Sequence, residues 1–146
     1  MDSRELIISN QIMLEEVAAL LEEGKEVTLA PRGSSMLPFI REGRDLVNLQ
    51  LPDSVDVGNI VLAHLPQRYV LHRIIDINQN RLTLMGDGNL TITERCTKAD
   101  VLGVVVGIVR DGKRTVRPGK ARVWRALYPL RRILLAVYRR LPYKLQ

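Results

Sequence analysis

Beyond residue 26 the chain breaks into six short apolar and β-branched runs, at 27–30, 46–49, 59–65, 69–77, 81–85 and 101–109. Gly, Pro, Asn and Asp punctuate the intervals, as at Asn78-Gln79-Asn80 and Gly86-Asp87-Gly88-Asn89. Runs of this length, bounded by turn residues, are the pattern of strands in a compact, mostly antiparallel sheet. Ahead of them, residues 9–24 read as a helix. Ile12, Leu14, Val17, Leu20 and Leu21 recur near the 3.6 period, and Glu15, Glu16, Glu22 and Glu23 fall largely on the other side. Gly24 stands where a C-terminal cap belongs. The expected class is mainly β (α+β), with one N-terminal helix.

Several function classes are poorly served by this sequence. At 146 residues, 46% of them apolar, it has the material for one domain with a true core. Cys96 is the only cysteine and His64 and His72 the only histidines, so a disulfide framework is excluded and a zinc site would need an unusual ligand set. There is no G-x-x-x-x-G-K and no G-x-G-x-x-G between a strand and a helix. No metal or cofactor is expected. No run of about 18 uncharged apolar residues is present, so a spanning helix is not expected. Residues 1–16 carry acids and lack an uninterrupted apolar stretch, so no secretory signal is read there and the expected compartment is the cytoplasm.

Charge divides the chain in two. Residues 1–111 hold 16 Asp and Glu against 11 Lys and Arg, a balance of −5. Residues 112–146 hold 11 Lys and Arg and no acid, a balance of +11. The overall +6 therefore describes neither part. The sequence reads as a body, 1–111, followed by a basic tail, 112–146.

Three segments of the body carry residues suited to chemistry. They are Gly33-Ser34-Ser35-Met36-Leu37-Pro38, then Tyr69-Val70-Leu71-His72-Arg73-Ile74-Ile75, then Met85-Gly86-Asp87-Gly88-Asn89. A serine hydroxyl is a weak nucleophile until a base within about 3 Å takes its proton. A base on a strand has its direction set by the sheet. In order and spacing these segments resemble the serine peptidase superfamily of type I signal peptidases and LexA-like autoproteases. Its landmarks are a Ser-Met-x-Pro element, a later His-Arg or Lys-Arg on a strand, and a Gly-Asp-x-Asn turn. Asp100-Val101-Leu102-Gly103-Val104-Val105 is similar to the family's final core strand. The resemblance spans roughly residues 28–109 and implies a coiled antiparallel β-sheet domain.

Within that resemblance Ser35 is the nucleophile and His72 the base. No lysine lies between Lys25 and Lys98, so the lysine base of most bacterial members is excluded, and the histidine arrangement matches archaeal and endoplasmic-reticulum signal peptidases. Imidazole, with a reference pKa of about 6.5, accepts a proton near neutrality without special tuning. His72 alternates with Val70 and Ile74 on an apolar face, where a histidine is otherwise a plain core residue. His64 follows Ile60 and Leu62 on its own strand and is read as structural. The third member is open. The family places an Asp about seven residues after the Gly of Gly-Asp-x-Asn, and Thr93 stands there, next to Glu94. Glu94 serves after a one-residue shift, Asp87 serves, or the triad is incomplete. The Ser35 N–H is the expected oxyanion donor, assisted near Gly33 or by the Ser34 hydroxyl. Met36 and Pro38 are expected to shape the substrate cleft.

In the tail, Val123, Trp124, Leu127, Leu130, Leu134, Val137, Tyr138 and Leu141 recur at helical spacing over residues 121–141. Arg122, Arg125, Arg132, Arg139 and Arg140 fall on the opposite arc, and Arg131 intrudes on the apolar side. Pro129 should kink the helix or begin a second one. Trp124, Arg125, Arg131, Arg132, Arg139 and Arg140 are the residues expected to meet an anionic membrane surface or a partner. Docking on the acidic body is the competing reading, and nucleic acid is a poor fit, with no helix-turn-helix ahead of the peptidase-like region. The expected activity is that of a signal-peptidase-like serine endopeptidase acting on a peptide or preprotein, at the inner membrane surface if the tail binds there. The alternatives are a non-catalytic binding module with this fold or a LexA-like self-cleaving regulator.

Overall fold

The computed structural model describes Leu6, Ile7 and residues 11–145; the helix start expected at Ser9 lies outside the described residues. It is mainly β. Nine strands form one curled sheet: β1 (Leu6–Ile7), β2 (Val27–Ala30), β3 (Asp45–Gln50), β4 (Ile60–His64), β5 (Tyr69–Asn78), β6 (Arg81–Met85), β7 (Glu94–Thr97), β8 (Val101–Arg110) and β9 (Arg114–Val116). Their order is β1-β2-β3-β8-β4-β5-β6-β7, with β9 also on β8. All pairings are antiparallel except β1 with β2. The six runs expected from sequence coincide with β2, β3, β4, β5, β6 and β8, while β1, β7 and β9 are additional.

The curl follows from interruptions in the ladders. The register slips between Asn48 and Leu49 in β3, between Leu62 and Ala63 in β4, and between Ile74 and Asp76 in β5. Each leaves one strand a residue longer than its partner, which increases local twist and bends the sheet. Side chains collect into two cores. Ile60 and Leu62 of β4 enter the first, and Val61 and Ala63 the second. All four are at most 1% exposed, so β4 is buried on both faces and its sequence is continuously apolar rather than alternating.

The helix α1 (Gln11–Glu22) lays Leu14, Val17 and Leu21 on the first core. Its end is a Schellman motif: the Gly24 N–H donates to the Leu21 carbonyl at 2.9 Å and the Lys25 N–H to the Leu20 carbonyl at 3.1 Å. Gly24 has φ +83°, the left-handed geometry that favours glycine there.

The basic segment opens with strand β9, which was not expected, and the helical stretch over 121–141 divides at Pro129, the second of the two outcomes expected there, into α2 (Arg122–Ala126), a 3-10 turn at Tyr128–Leu130, and α3 (Arg131–Arg140). Pro129 sits in the turn between the helices, where it withholds the N–H that a continuous helix would require. This segment also folds against the body. Trp124 Nε1–H donates to the Asp87 carbonyl at 2.8 Å, and the Tyr128 hydroxyl donates to the Leu90 carbonyl at 2.7 Å. Arg131, expected at an outer surface, is 2% exposed, its guanidinium over the rings of Trp124 and Tyr128. Burial pulls its pKa below the ordinary arginine value, and the charge of nearby Asp87 offsets the lost hydration only in part. Arg125 is half-buried and donates to the Lys120 carbonyl, whereas Arg132, Arg139 and Arg140 remain exposed. The reason is geometric: the helical break turns the Arg131 side of α3 inward.

The two-sided burial of β4 sets an expectation for stability. Leu62→Ala should cost about 2–5 kcal/mol in urea denaturation, the usual range for a filled core site. Leu51→Ala, at a residue 48% exposed, should change the midpoint little. Equal midpoints for the two variants would contradict this arrangement.

Candidate active site

His72 lies on β5 with both ring nitrogens engaged. Its Nε2 is 3.1 Å from Ser35 Oγ, and its Nδ1 is 2.5 Å from Glu94 Oε1. The sheet register explains the meeting with Glu94. Ile74 pairs with Leu84 and Leu84 with Glu94, so Glu94 shares a face with Ile74 and with His72, two residues earlier on β5. An ionised carboxylate only accepts hydrogen bonds, which assigns the proton to Nδ1. The Nε2 lone pair then faces the Ser35 hydroxyl, the orientation a general base needs. His72 and Glu94 are 6% and 8% exposed, while Ser35 is half-buried at the wall of a cleft of about 290 Å³. Gly33, Met36 and Asn89 also line this cleft. Arg68 stands at its mouth, with Nη2 at 3.5 Å from Glu94 Oε2.

Asp87, the other acid considered for orienting the base, is occupied elsewhere. Arg73 Nε donates to Asp87 Oδ1 at 2.8 Å and Arg73 Nη2 to Asp87 Oδ2 at 2.7 Å, a bidentate pair with each side chain 1% exposed. Adjacent strand residues point to opposite faces, so Arg73 cannot serve the same side of β5 as His72. Asp87 follows Arg73, and Glu94 meets the base. Arg73 Nη1 also donates to the carbonyls of Gly58 and Gly119, at 2.8 and 2.7 Å.

The pair has a consequence for the nucleophile. Asp87 belongs to the turn at residues 86–89, which packs on the backbone of Ser34 and Ser35. The Gly88 N–H donates to the Ser35 carbonyl at 2.8 Å. A Cβ on Gly86 would lie 2.3 Å from the Ser35 carbonyl oxygen, and one on Gly88 2.6 Å from that of Ser34. The two glycines are thus required by backbone proximity, and the turn braces the serine from behind.

Of the other residues expected around the site, Gly33 and Met36 reach the cleft, whereas Ser34 and Pro38 do not line it. Gly33, at φ +86°, lines the cleft, but its N–H donates to Glu42 Oε2 at 3.2 Å. Ser34 is exposed and lines a second groove, which shares Gly33 and Glu42 with the cleft. Met36 lines the cleft and is also part of the first core, at 4% exposure. Pro38, expected at the cleft, does not line it; it lies within the turn that carries the chain from Ser35 to the buried Ile40. His64 stacks on Tyr69, with ring centroids 4.3 Å apart, and takes no part in the site. Cys96 is buried among apolar side chains, and desolvation, aided by Asp100 and Glu94, pushes its thiol up to about 11. It is not a competing nucleophile.

The bracing role of Arg73 was not read from the sequence, although a signal was present. An arginine inside a continuous apolar strand is buried, and a buried arginine needs a carboxylate.

Two measurements follow. Asp87→Ala leaves the Arg73 charge buried without its partner and should cost about 3–5 kcal/mol in a thermal or urea melt. Removing both charges in Arg73→Met/Asp87→Leu should cost less than the sum of the single changes; strict additivity would deny the coupling. Cys96 should resist iodoacetamide at pH 8 in the folded protein and react on unfolding, and rapid labelling of the native chain would contradict its burial. No family model matches the chain and no curated protein matches it significantly, so the case for a function rests on this constellation of side chains.

Proposed function

We propose that the protein is a serine endopeptidase of signal-peptidase-like type, cleaving a leader, signal or propeptide segment with a Ser35-His72-Glu94 triad. The single observation that carries this reading is the continuous contact from Ser35 Oγ through the His72 ring to Glu94 at the wall of a cleft. Any buried histidine needs a hydrogen-bond partner at each nitrogen; a hydroxyl at Nε2, a carboxylate at Nδ1 and a cleft beside the hydroxyl are what general-base chemistry adds to that need.

The steps are those of acyl transfer. Ser35 Oγ attacks the scissile carbonyl carbon as His72 Nε2 takes its proton, and Glu94 stabilises the imidazolium that forms. The carbonyl oxygen becomes an oxyanion, held by the Ser35 N–H. His72 returns the proton to the leaving amine, and the acyl-serine forms as the peptide bond breaks. Water, deprotonated by His72, then releases the acyl group and restores the serine.

The sheet supports an extended substrate. β4 pairs with Tyr69–Arg73 on one side of β5, whereas β6 pairs with β5 only from Arg73 onward. The other edge of residues 69–72 is therefore open along the cleft among the described strands, and a peptide laid there would hydrogen-bond as an added strand. Its carbonyls would pass directly by Ser35.

In cells carrying wild type, Ser35→Ala or His72→Ala, the cleaved N-termini should differ between wild type and both variants. With a peptide identified that way, Glu94→Gln, which keeps the size of the side chain and a hydrogen-bonding group at His72 Nδ1, should lower turnover on the order of 10⁴-fold while changing the melting temperature far less than Asp87→Ala does. Identical N-termini in the three strains, or undiminished turnover by Ser35→Ala, would sink the assignment.

A further inference from the structure

The tail helix α3 has two apolar faces, and only one is used internally. Arg131 and Leu135 are buried against the body, with Leu134 and Tyr138 half-buried beside them. On the outer side Leu130, Ile133 and Val137 follow one another at spacings of three and four, at 48%, 64% and 55% exposure. Side chains so spaced form one stripe along a helix. Arg132, Ala136, Arg139 and Arg140 occupy the next rows around the helix, all exposed. An outward apolar stripe edged by arginines needs a partner that is apolar and negatively charged at once.

We infer that this outer face of α3 docks on an anionic lipid bilayer, with Leu130, Ile133 and Val137 in the acyl boundary and Arg132, Arg139 and Arg140 on the headgroups. Charge selects the occupant. Residues 112–146 contain 11 basic residues and no acid, so a second copy of the same face would set arginines against arginines. An anionic headgroup layer meets all of them together, and long arginine side chains can bury their stems while their heads stay in the polar layer. At ten residues α3 is about 15 Å long, suited to lying in the interface. No helix among the described residues is long and apolar enough to cross a membrane. At the edge of this face Arg139, with Tyr138 of the inward side, lines one groove together with Gly33 and Ser34.

The test is flotation of the full chain with vesicles of phosphatidylglycerol and phosphatidylcholine, against vesicles of phosphatidylcholine alone. Wild type should float with the anionic vesicles, lose that association as salt rises, and stay behind with the neutral ones. Ile133→Ser/Val137→Ser, at exposed positions that leave the inward face of α3 untouched, should abolish flotation without changing the melting temperature. Arg132→Gln/Arg139→Gln/Arg140→Gln should weaken partitioning on the order of 100-fold. Ser35→Ala should float like wild type, so lipid docking and the peptidase assignment stand or fall separately. Failure of wild type to float, flotation of the Ile133/Val137 variant at the wild-type level, or lipid-free self-association that this variant abolishes would each overturn the inference, the last by making a second copy the occupant.

Discussion

The buried pair of Arg73 and Asp87 is the junction on which the arrangement of the molecule depends. One guanidinium joins β5 to the 86–89 turn through Asp87, to the approach to β4 through the Gly58 carbonyl, and to the start of the tail through the Gly119 carbonyl. Phe39 lies against it, 5.3 Å from its ring centroid to Arg73 Cζ, and meets Trp124 edge-on at 6.2 Å. Buried ion pairs contribute little net stability compared with a well-packed apolar substitute, because both charges lose their hydration. What such a pair supplies here is direction. Its fork geometry admits one placement of the turn, and the turn in turn fixes the serine backbone.

Seen from that junction, β5 divides the labour of its two faces. His72 points to the cleft and Arg73, the next residue, to the scaffold, as the alternation of a strand requires. The adjacent residues therefore take different acids, Glu94 for His72 and Asp87 for Arg73. The Ser35-His72-Glu94 arrangement is thereby fixed by the scaffold itself, the preorganisation that the proposed acyl transfer would require. Trp124, Tyr128 and Arg131 clasp residues 87–90 from outside through their hydrogen bonds to backbone carbonyls. The basic segment is in this respect an external support of the same turn, besides whatever it binds on its outward face.

Six strands were legible because each carries its own run of apolar residues between turn formers, and α1 because its leucines keep a helical period and end at Gly24. β7 was missed because Glu94-Arg95-Cys96-Thr97 opens on two consecutive charged residues and offers only Cys96 as an apolar side chain, so nothing in it resembles a buried strand. β9 was missed for a related reason: Arg114 and Thr115 are exposed, and its order comes from pairing with β8. In the tail, helical spacing was legible but facing was not. With apolar residues at several angles around the axis, periodicity alone does not say which side meets the protein, and Arg131 was assigned outward although it packs inward.

Local order thus belongs to the sequence alone: the sheet-rich class, the helix with its glycine cap, the split of charge at residue 111, and the three segments holding Ser35, His72 and the glycine turn. These rest on residue type and short-range spacing, which the chain carries before it folds. The choice between Asp87 and Glu94 belongs to tertiary structure. Both acids are polar residues near turns at plausible separations from His72, and neither shows in the sequence which strand face it will share. Register decided it, by setting Glu94 level with Ile74 across β6 while Arg73, on the opposite face, claimed Asp87. A contact across three strands is a property of their alignment, and alignment is settled only when the cores on both sides of the sheet close.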